Sequence, residues 1–154
     1  MLFLSFLPFL LVSAFAFTAN AQSSSQEILK DFTSDGCSMS PDGWIIGQTH
    51  YVQCCVEHDV AYWRGGTRQE KLTADLELKQ CIKEKSNSVV AEIYYRGVRV
   101  GGVESLPTNF HWGYGWTKRR NYRALSEQEQ QMVDEKLSQV DWQALYRSLG
   151  IDVP

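Results

Sequence analysis

The chain has 154 residues, of which 44% are hydrophobic, 21% charged and 12% aromatic. This composition is typical of a globular domain and excludes collagen-like, low-complexity and fully disordered chains. The formal net charge is -3, which argues against nucleic acid as a partner, because nucleic-acid-binding domains usually present a basic surface. Four cysteines are enough for two disulfides in an oxidising compartment.

The first 21 residues have the pattern of a secretory signal peptide. Residues 2–17 are nearly all apolar and carry no charge, and the small residues Ala19 and Ala21 mark a cleavage site. The apolar run is shorter than the ~20 residues that span a bilayer, which weakens the alternative of an uncleaved anchor. We therefore expect residues 22–154 to form one domain that is secreted or periplasmic.

Helical patterns and loop signals alternate over the next part of the chain. Residues 26–32 have the apolar spacing of a short helix, whereas residues 35–43 are rich in Asp, Gly, Ser and Pro and indicate a loop. A second helical pattern covers residues 48–63 and ends at a Gly-Gly pair. Thr67 and Glu70 form a capping-box pattern, so another helix is expected to start there and to run to about residue 85. These two helices should form a tight antiparallel hairpin.

The C-terminal half is less regular. Residues 89–100 are rich in Val, Ile, Tyr and Arg and fit either a strand or a helix, and residues 101–117 read as an irregular Gly- and aromatic-rich segment. Ser126 and Glu129 form a second capping box, and a last short helix is expected at residues 142–149. The predicted fold class is mainly α: a two-helix hairpin core cross-linked by disulfides, with extra C-terminal helices.

The hairpin geometry predicts how the cysteines pair. Antiparallel helices bring residues with a common sequence midpoint to the same level, and Cys54 and Cys81 have their midpoint at the predicted turn. A disulfide between them would join the far ends of the two helices. Cys37 then remains for Cys55, which would hold the upstream loop against the first helix.

The same argument places Asp75 level with His58. Tyr62 shares a helix face with His58, while Asp59 points about 100° away. A histidine held by a carboxylate is the arrangement of a general base. A carboxylate beside a loop rich in backbone carbonyls suits calcium (Ca²⁺).

Two other interpretations of this segment stay open at this point. In the first, the hairpin is purely structural and His58 is incidental. In the second, the cysteines and His58 bind zinc, although adjacent cysteines diverge on a helix and structural zinc sites usually space their ligands C-x2–4-C.

These residues resemble the active-site helices of secreted phospholipases A2. Residues 54–62 match the family's C-C-x-x-H-D-x-x-Y motif, and Asp75 and Cys81 match its D-x5-C motif. The resemblance covers about residues 36–82 and includes Cys37. The loop Asp-Gly-Cys-Ser-Met-Ser-Pro-Asp-Gly departs from the family's Tyr-Gly-Cys-x-Cys-Gly-x-Gly-Gly pattern. The bare turn between the helices places the chain nearer the compact microbial members.

The resemblance implies calcium-dependent hydrolysis of the sn-2 ester of glycerophospholipids in membranes or micelles. His58 would be the general base that activates water, Asp75 would orient it, and Tyr62 would support Asp75. Asp59 would be the side-chain calcium ligand. The other implied ligands are the loop carbonyls of Gly36, Ser38 and Ser40, with Asp35 or Asp42 as replacement ligands. The alternative function is a catalytically inactive module of the same fold that binds lipid or protein.

Residues 110–123 alternate aromatic and small residues before a basic run. Trp and Tyr favour the bilayer interface, and basic residues favour anionic headgroups. In the alternative interpretation, the aromatic side chains fill the core beneath an irregular loop. We expect a monomer that binds phospholipid surfaces. The membrane-interface candidates are Trp112, Tyr114, Trp116, Lys118, Arg119 and Arg120.

Overall fold

The computed structural model describes residues 28–37, 50–106 and 108–151. Over these ranges the fold is mainly helical, as predicted, and contains no strand beyond an isolated β-bridge. No helix in the described ranges is both long and apolar enough to cross a membrane. The predicted signal peptide and most of the predicted loop lie outside the described residues. The helices are α1 (Val52–Arg64), α2 (Arg68–Lys85), α3 (Ser88–Gly101), α4 (Glu127–Ser138) and α5 (Trp142–Ser148).

The α1/α2 hairpin forms as the sequence predicts. The Thr67 side chain accepts a hydrogen bond from the Glu70 backbone N–H (3.2 Å), and the Glu70 carboxylate accepts one from the Thr67 N–H (2.7 Å). These bonds satisfy backbone donors that the first turn of α2 would otherwise leave unpaired. At the turn, Gly65 adopts φ 69°, and a Cβ atom there would lie 2.9 Å from the Gly113 Cα. The turn therefore requires glycine.

Both predicted disulfides are present. Cys54–Cys81 joins α1 to the C-terminal part of α2, with 5.8 Å between the Cα atoms. Cys37–Cys55 joins the segment before α1 to α1 itself, with a Cα–Cα distance of 5.5 Å. With all four cysteines cross-linked, the zinc interpretation is wrong for this structure, because zinc requires free thiolates.

The ambiguous segment at residues 89–100 is helical. Asn87 caps α3, and its side-chain oxygen accepts hydrogen bonds from the backbone N–H groups of Val89 and Val90 (both 3.0 Å). The helix packs along α2, where Lys79 forms an ion pair with Glu92 (2.7 Å). The β-branched residues of this segment left the choice between strand and helix open. The N-cap and the packing against α2 favour the helix.

The expected helix at residues 26–32 is wrong over its described part, residues 28–32. Leu29 instead forms an antiparallel bridge with Trp116. The Lys30 N–H donates to the Gly115 carbonyl (2.8 Å), and the Thr117 N–H donates to the Ile28 carbonyl (3.0 Å). Extended pairing satisfies these backbone groups, and Leu29 is buried in the core.

A buried arginine joins α4 to this core. Arg120 is 1% exposed, lies 4.2 Å over the Trp116 ring, and donates two 2.8 Å hydrogen bonds to Glu129. Glu129 also completes the predicted capping box of α4 with Ser126. The final helix, α5, starts at Trp142 as expected.

Candidate active site

His58, Asp75 and Tyr62 form one buried hydrogen-bonded group between α1 and α2. The His58 Nε2 atom lies 3.1 Å from Asp75 Oδ1, and the Tyr62 hydroxyl lies 2.7 Å from the same oxygen. Asp75 is completely buried and His58 is 7% exposed. The residues paired by sequence midpoint are therefore in direct contact.

Two cations that the sequence analysis did not identify hold the other oxygen of Asp75. Lys71 Nζ and Arg99 Nη1 each lie 2.9 Å from Asp75 Oδ2. The i, i+4 spacing of Lys71 and Asp75 on α2 is a signal that could have been read from the sequence. Arg99 belongs to α3, and its approach depends on tertiary packing alone.

These contacts set the charges of the pair. Burial alone would raise the pKa of Asp75, but its four hydrogen bonds lower it to about 2. Burial also lowers the pKa of His58 below its usual range, although hydrogen bonding to Asp75 opposes that shift. At neutral pH the group therefore combines an ionised carboxylate with an uncharged imidazole that can accept a proton.

His58 lines a cleft that is open to solvent. The apolar side of the cleft is formed by Leu78, Tyr94, Val98 and Phe110. Gly102 lies against the Tyr62 ring, and a Cβ atom at position 102 would lie 2.6 Å from the Tyr62 hydroxyl oxygen. The absence of a side chain at this position lets Tyr62 reach Asp75.

Asp59 lines the same cleft. Its carboxylate accepts a hydrogen bond from the Ser34 hydroxyl (2.5 Å). Burial, with the nearby charge of Asp35, raises the pKa of Asp59 to about 7, although the Ser34 hydrogen bond opposes this rise. Within the described residues, no Lys, Arg or His side chain forms an ion pair with Asp59. Its negative charge is thus poorly compensated by the protein.

The donors near Asp59 fit a hard cation only in part. Asp35 and Gly36 line the cleft beside Asp59, and the Gly36 N–H donates to the Ser34 hydroxyl (3.0 Å). Carboxylate oxygens, as on Asp35 and Asp59, and backbone carbonyl oxygens, as on Gly36, are ligands that suit calcium. In the part of the chain that the structure describes, no three His, Cys, Asp or Glu side chains cluster as a metal site. The predicted ligands Ser38 and Ser40, and the replacement candidate Asp42, lie outside the described residues.

Three of the six predicted membrane-interface candidates, Trp112, Trp116 and Arg120, are wrong, because their side chains are buried in the interior. Trp112 is 0% exposed and its indole N–H donates to the Gly66 carbonyl (2.8 Å). Trp116 is 3% exposed, its indole N–H donates to the Arg64 carbonyl (2.7 Å), and it stacks with the buried Arg120. Lys118 and Arg119 remain exposed, and Tyr114 is half-buried with its hydroxyl donating to Thr33. The alternative interpretation, aromatic residues filling the core, holds for both tryptophans.

Comparison with known proteins adds no family to this geometry. No family model, no curated protein and no solved structure matches the chain. The resemblance to secreted phospholipases A2 therefore depends on the motif residues described above.

Proposed function

We propose that this protein is a secreted, calcium-dependent phospholipase A2 that hydrolyses the sn-2 ester of glycerophospholipids. The observation that supports this proposal is the position of His58, which lines the cleft, contacts Asp75 through Nε2 (3.1 Å) and is followed in the sequence by Asp59, a residue that lines the same cleft. General base, orienting carboxylate and candidate metal ligand thus lie around one cleft, which is the combination that calcium-assisted ester hydrolysis needs.

In the proposed reaction, His58 removes a proton from water as the water oxygen attacks the ester carbonyl carbon. Its Nε2–H donates to Asp75, which leaves Nδ1 to accept the proton. Asp75 stabilises the imidazolium that forms, and Tyr62 holds the carboxylate in place. The proton then passes to the oxygen of the departing lysophospholipid as the acyl–oxygen bond breaks. The products are a lysophospholipid and a free fatty acid.

The calcium ion would be held by Asp59, with Asp35 and the Gly36 carbonyl as further oxygen donors. A bound calcium ion supplies positive charge that polarises the ester carbonyl and stabilises the oxyanion. The poorly compensated charge of Asp59 supports this assignment, because a half-buried carboxylate without a cationic partner in the described residues is costly.

The walls of the cleft support a lipid as substrate. Leu78, Tyr94, Val98 and Phe110 offer apolar contacts to an acyl chain, and Asp35 and Asp59 line the same cleft. An amphipathic ester would find partners there for both its chain and its polar part.

The test is fatty-acid release by the disulfide-bonded protein from mixed neutral and anionic phospholipid vesicles, with calcium or with EDTA. We expect calcium-dependent release from the sn-2 position. His58→Gln should abolish it, whereas His111→Gln should retain it, because His111 lies outside the cleft and bonds only the Thr108 carbonyl.

Three other outcomes separate the alternatives. Release unaffected by EDTA would support hydrolysis but contradict the calcium requirement. Equal release by wild type and His58→Gln would overturn the site assignment. No release by folded protein that still binds the vesicles would favour an inactive lipid-binding module.

A further inference from the structure

We propose that Lys71 is a positioning residue for the His58–Asp75 pair, and that Arg99 assists it from the solvent side. The inference builds on the proposed hydrolysis, but the contacts that carry it exist independently of any substrate. Neither residue belongs to the motifs that suggested the function.

The Lys71 ammonium group is a buried junction between three helices. Its side chain is only 4% exposed. Nζ donates to Asp75 on its own helix (2.9 Å), to the Tyr62 hydroxyl on α1 (2.5 Å) and to the Val98 carbonyl on α3 (3.4 Å). All three N–H bonds are therefore used, which accounts for the burial of a residue type that is almost never buried unpaired.

The two carboxylate oxygens of Asp75 have different partners. Oδ1 faces His58 and Tyr62, and Oδ2 faces Lys71 and Arg99. The cations prevent the carboxylate from turning its second oxygen toward the imidazole. They also supply positive charge. Without it, a completely buried carboxylate would take up a proton and would no longer be a strong acceptor for the imidazole N–H.

Lys71 and Arg99 differ in their surroundings. The Arg99 side chain is 40% exposed, so water and salt screen its interaction with Asp75, whereas Lys71 is screened by neither. Arg99 also makes no hydrogen bond to Tyr62. We therefore assign the larger positioning role to Lys71.

The principal test compares Lys71→Met with Lys79→Met. Lys79 lies on the same helix and is half-exposed, and it pairs with Glu92 and not with Asp75. We expect Lys71→Met to lower kcat by about 10- to 100-fold, the usual cost of losing a group that orients a reacting histidine, with KM little changed. Lys79→Met should change neither constant, and Arg99→Met should lower kcat less than Lys71→Met does.

A second readout does not need catalytic activity. In the wild type, ¹⁵N NMR of the neutral His58 ring should show the single tautomer that carries its proton on Nε2. In Lys71→Met we expect a mixture of tautomers at the same pH. An altered tautomer in a protein without phospholipase activity would keep this inference and reject the proposed function. An unchanged tautomer with unchanged kcat would overturn the inference.

A third comparison covers the possibility that Lys71→Met does not fold. If Lys71 acts through Asp75, the double variant Asp75→Asn/Lys71→Met removes both members of the charge pair and should unfold at a higher temperature than either single variant. Its kcat should be close to that of Asp75→Asn alone. An equal loss of kcat from Lys71→Met in both backgrounds would contradict a role through Asp75.

Discussion

Two carboxylates lie on either side of His58, and their surroundings differ. Asp75 is completely buried, yet it has four hydrogen-bond donors, two of them cationic, and a pKa of about 2. Asp59 has one hydroxyl donor and a second carboxylate nearby, and its pKa is raised to about 7. Burial acts on both groups in the same direction. The difference therefore comes from the four donors that hydrogen-bond to Asp75, namely His58, Tyr62, Arg99 and Lys71, against the single hydroxyl donor of Asp59.

In the described part of the chain, the protein itself compensates the negative charge of Asp75 but not that of Asp59. Asp75 has all the compensation it needs in the folded chain, as expected for a group that orients the base. Asp59 lacks a cationic partner in the described residues, as expected for a group whose partner is a bound metal ion. The first should matter for stability and activity together, and the second mainly for activity.

Asp75→Asn should have the largest effect on the fold. The neutral amide leaves the buried Lys71 without its counter-charge, and removing one member of a buried ion pair typically costs about 3–5 kcal/mol. Urea unfolding measures this loss. Glu77→Gln, an exposed change on the same helix, is the control and should stay within about 0.5 kcal/mol of wild type. Equal free energies of unfolding for the two variants would contradict the claim that the charges of Asp75 and Lys71 compensate each other in the folded protein.

Asp59→Asn should lower hydrolysis by about 10²- to 10³-fold, the usual cost of losing one electrostatic contribution to an oxyanion, while the fold survives. Calcium should raise the unfolding temperature of the wild type, since a ligand that binds only the native state stabilises it, and should not raise that of the variant. Asp134→Asn, on the exposed face of α4, is the matched control. A calcium-dependent shift that persists in Asp59→Asn would remove Asp59 from the metal site.

Acid should reveal the Asp75 contribution separately. Because its pKa is lowered from 3.8 to about 2, its stabilisation is fully present above pH 3.8 and is lost as the pH falls through 2. The shift corresponds to about 2 kcal/mol. Between pH 4 and pH 2 the wild type should therefore lose about 2 kcal/mol more than Asp75→Asn loses. Parallel pH profiles for the two proteins would show that Asp75 is not ionised in the native state.

Trp112→Phe should have the smallest effect. It removes the indole hydrogen bond to the Gly66 carbonyl, which contributes about 1 kcal/mol, and the ring remains buried. Binding to phospholipid vesicles, measured by co-sedimentation, should not change. Weaker vesicle binding at unchanged stability would return Trp112 to the membrane interface.

The hairpin was predictable because its signals are local. Helical period, a Gly-Gly stop and a capping box define two antiparallel helices, and the geometry of that pair then sets which residues face each other. The contact of His58 with Asp75 and the Cys54–Cys81 disulfide followed from sequence distance alone. Lys71 was within reach of the same reasoning, since it lies one turn before Asp75 on α2.

Other features depended on partners that are distant in sequence. The backbone of residues 28–32 pairs with residues 115–117, and that long-range pairing outweighed a weak helical pattern. From the sequence, Trp112 and Trp116 fit a membrane interface and a protein core equally well. In the structure both are buried, and their indole N–H groups donate to backbone carbonyls of the α1/α2 turn region. Arg99 reaches Asp75 because α3 packs on α2. The local sequence signals thus determined the hairpin and the contact between His58 and Asp75. The charge balance of that pair also required α3, because electrostatic compensation depends on distance in space.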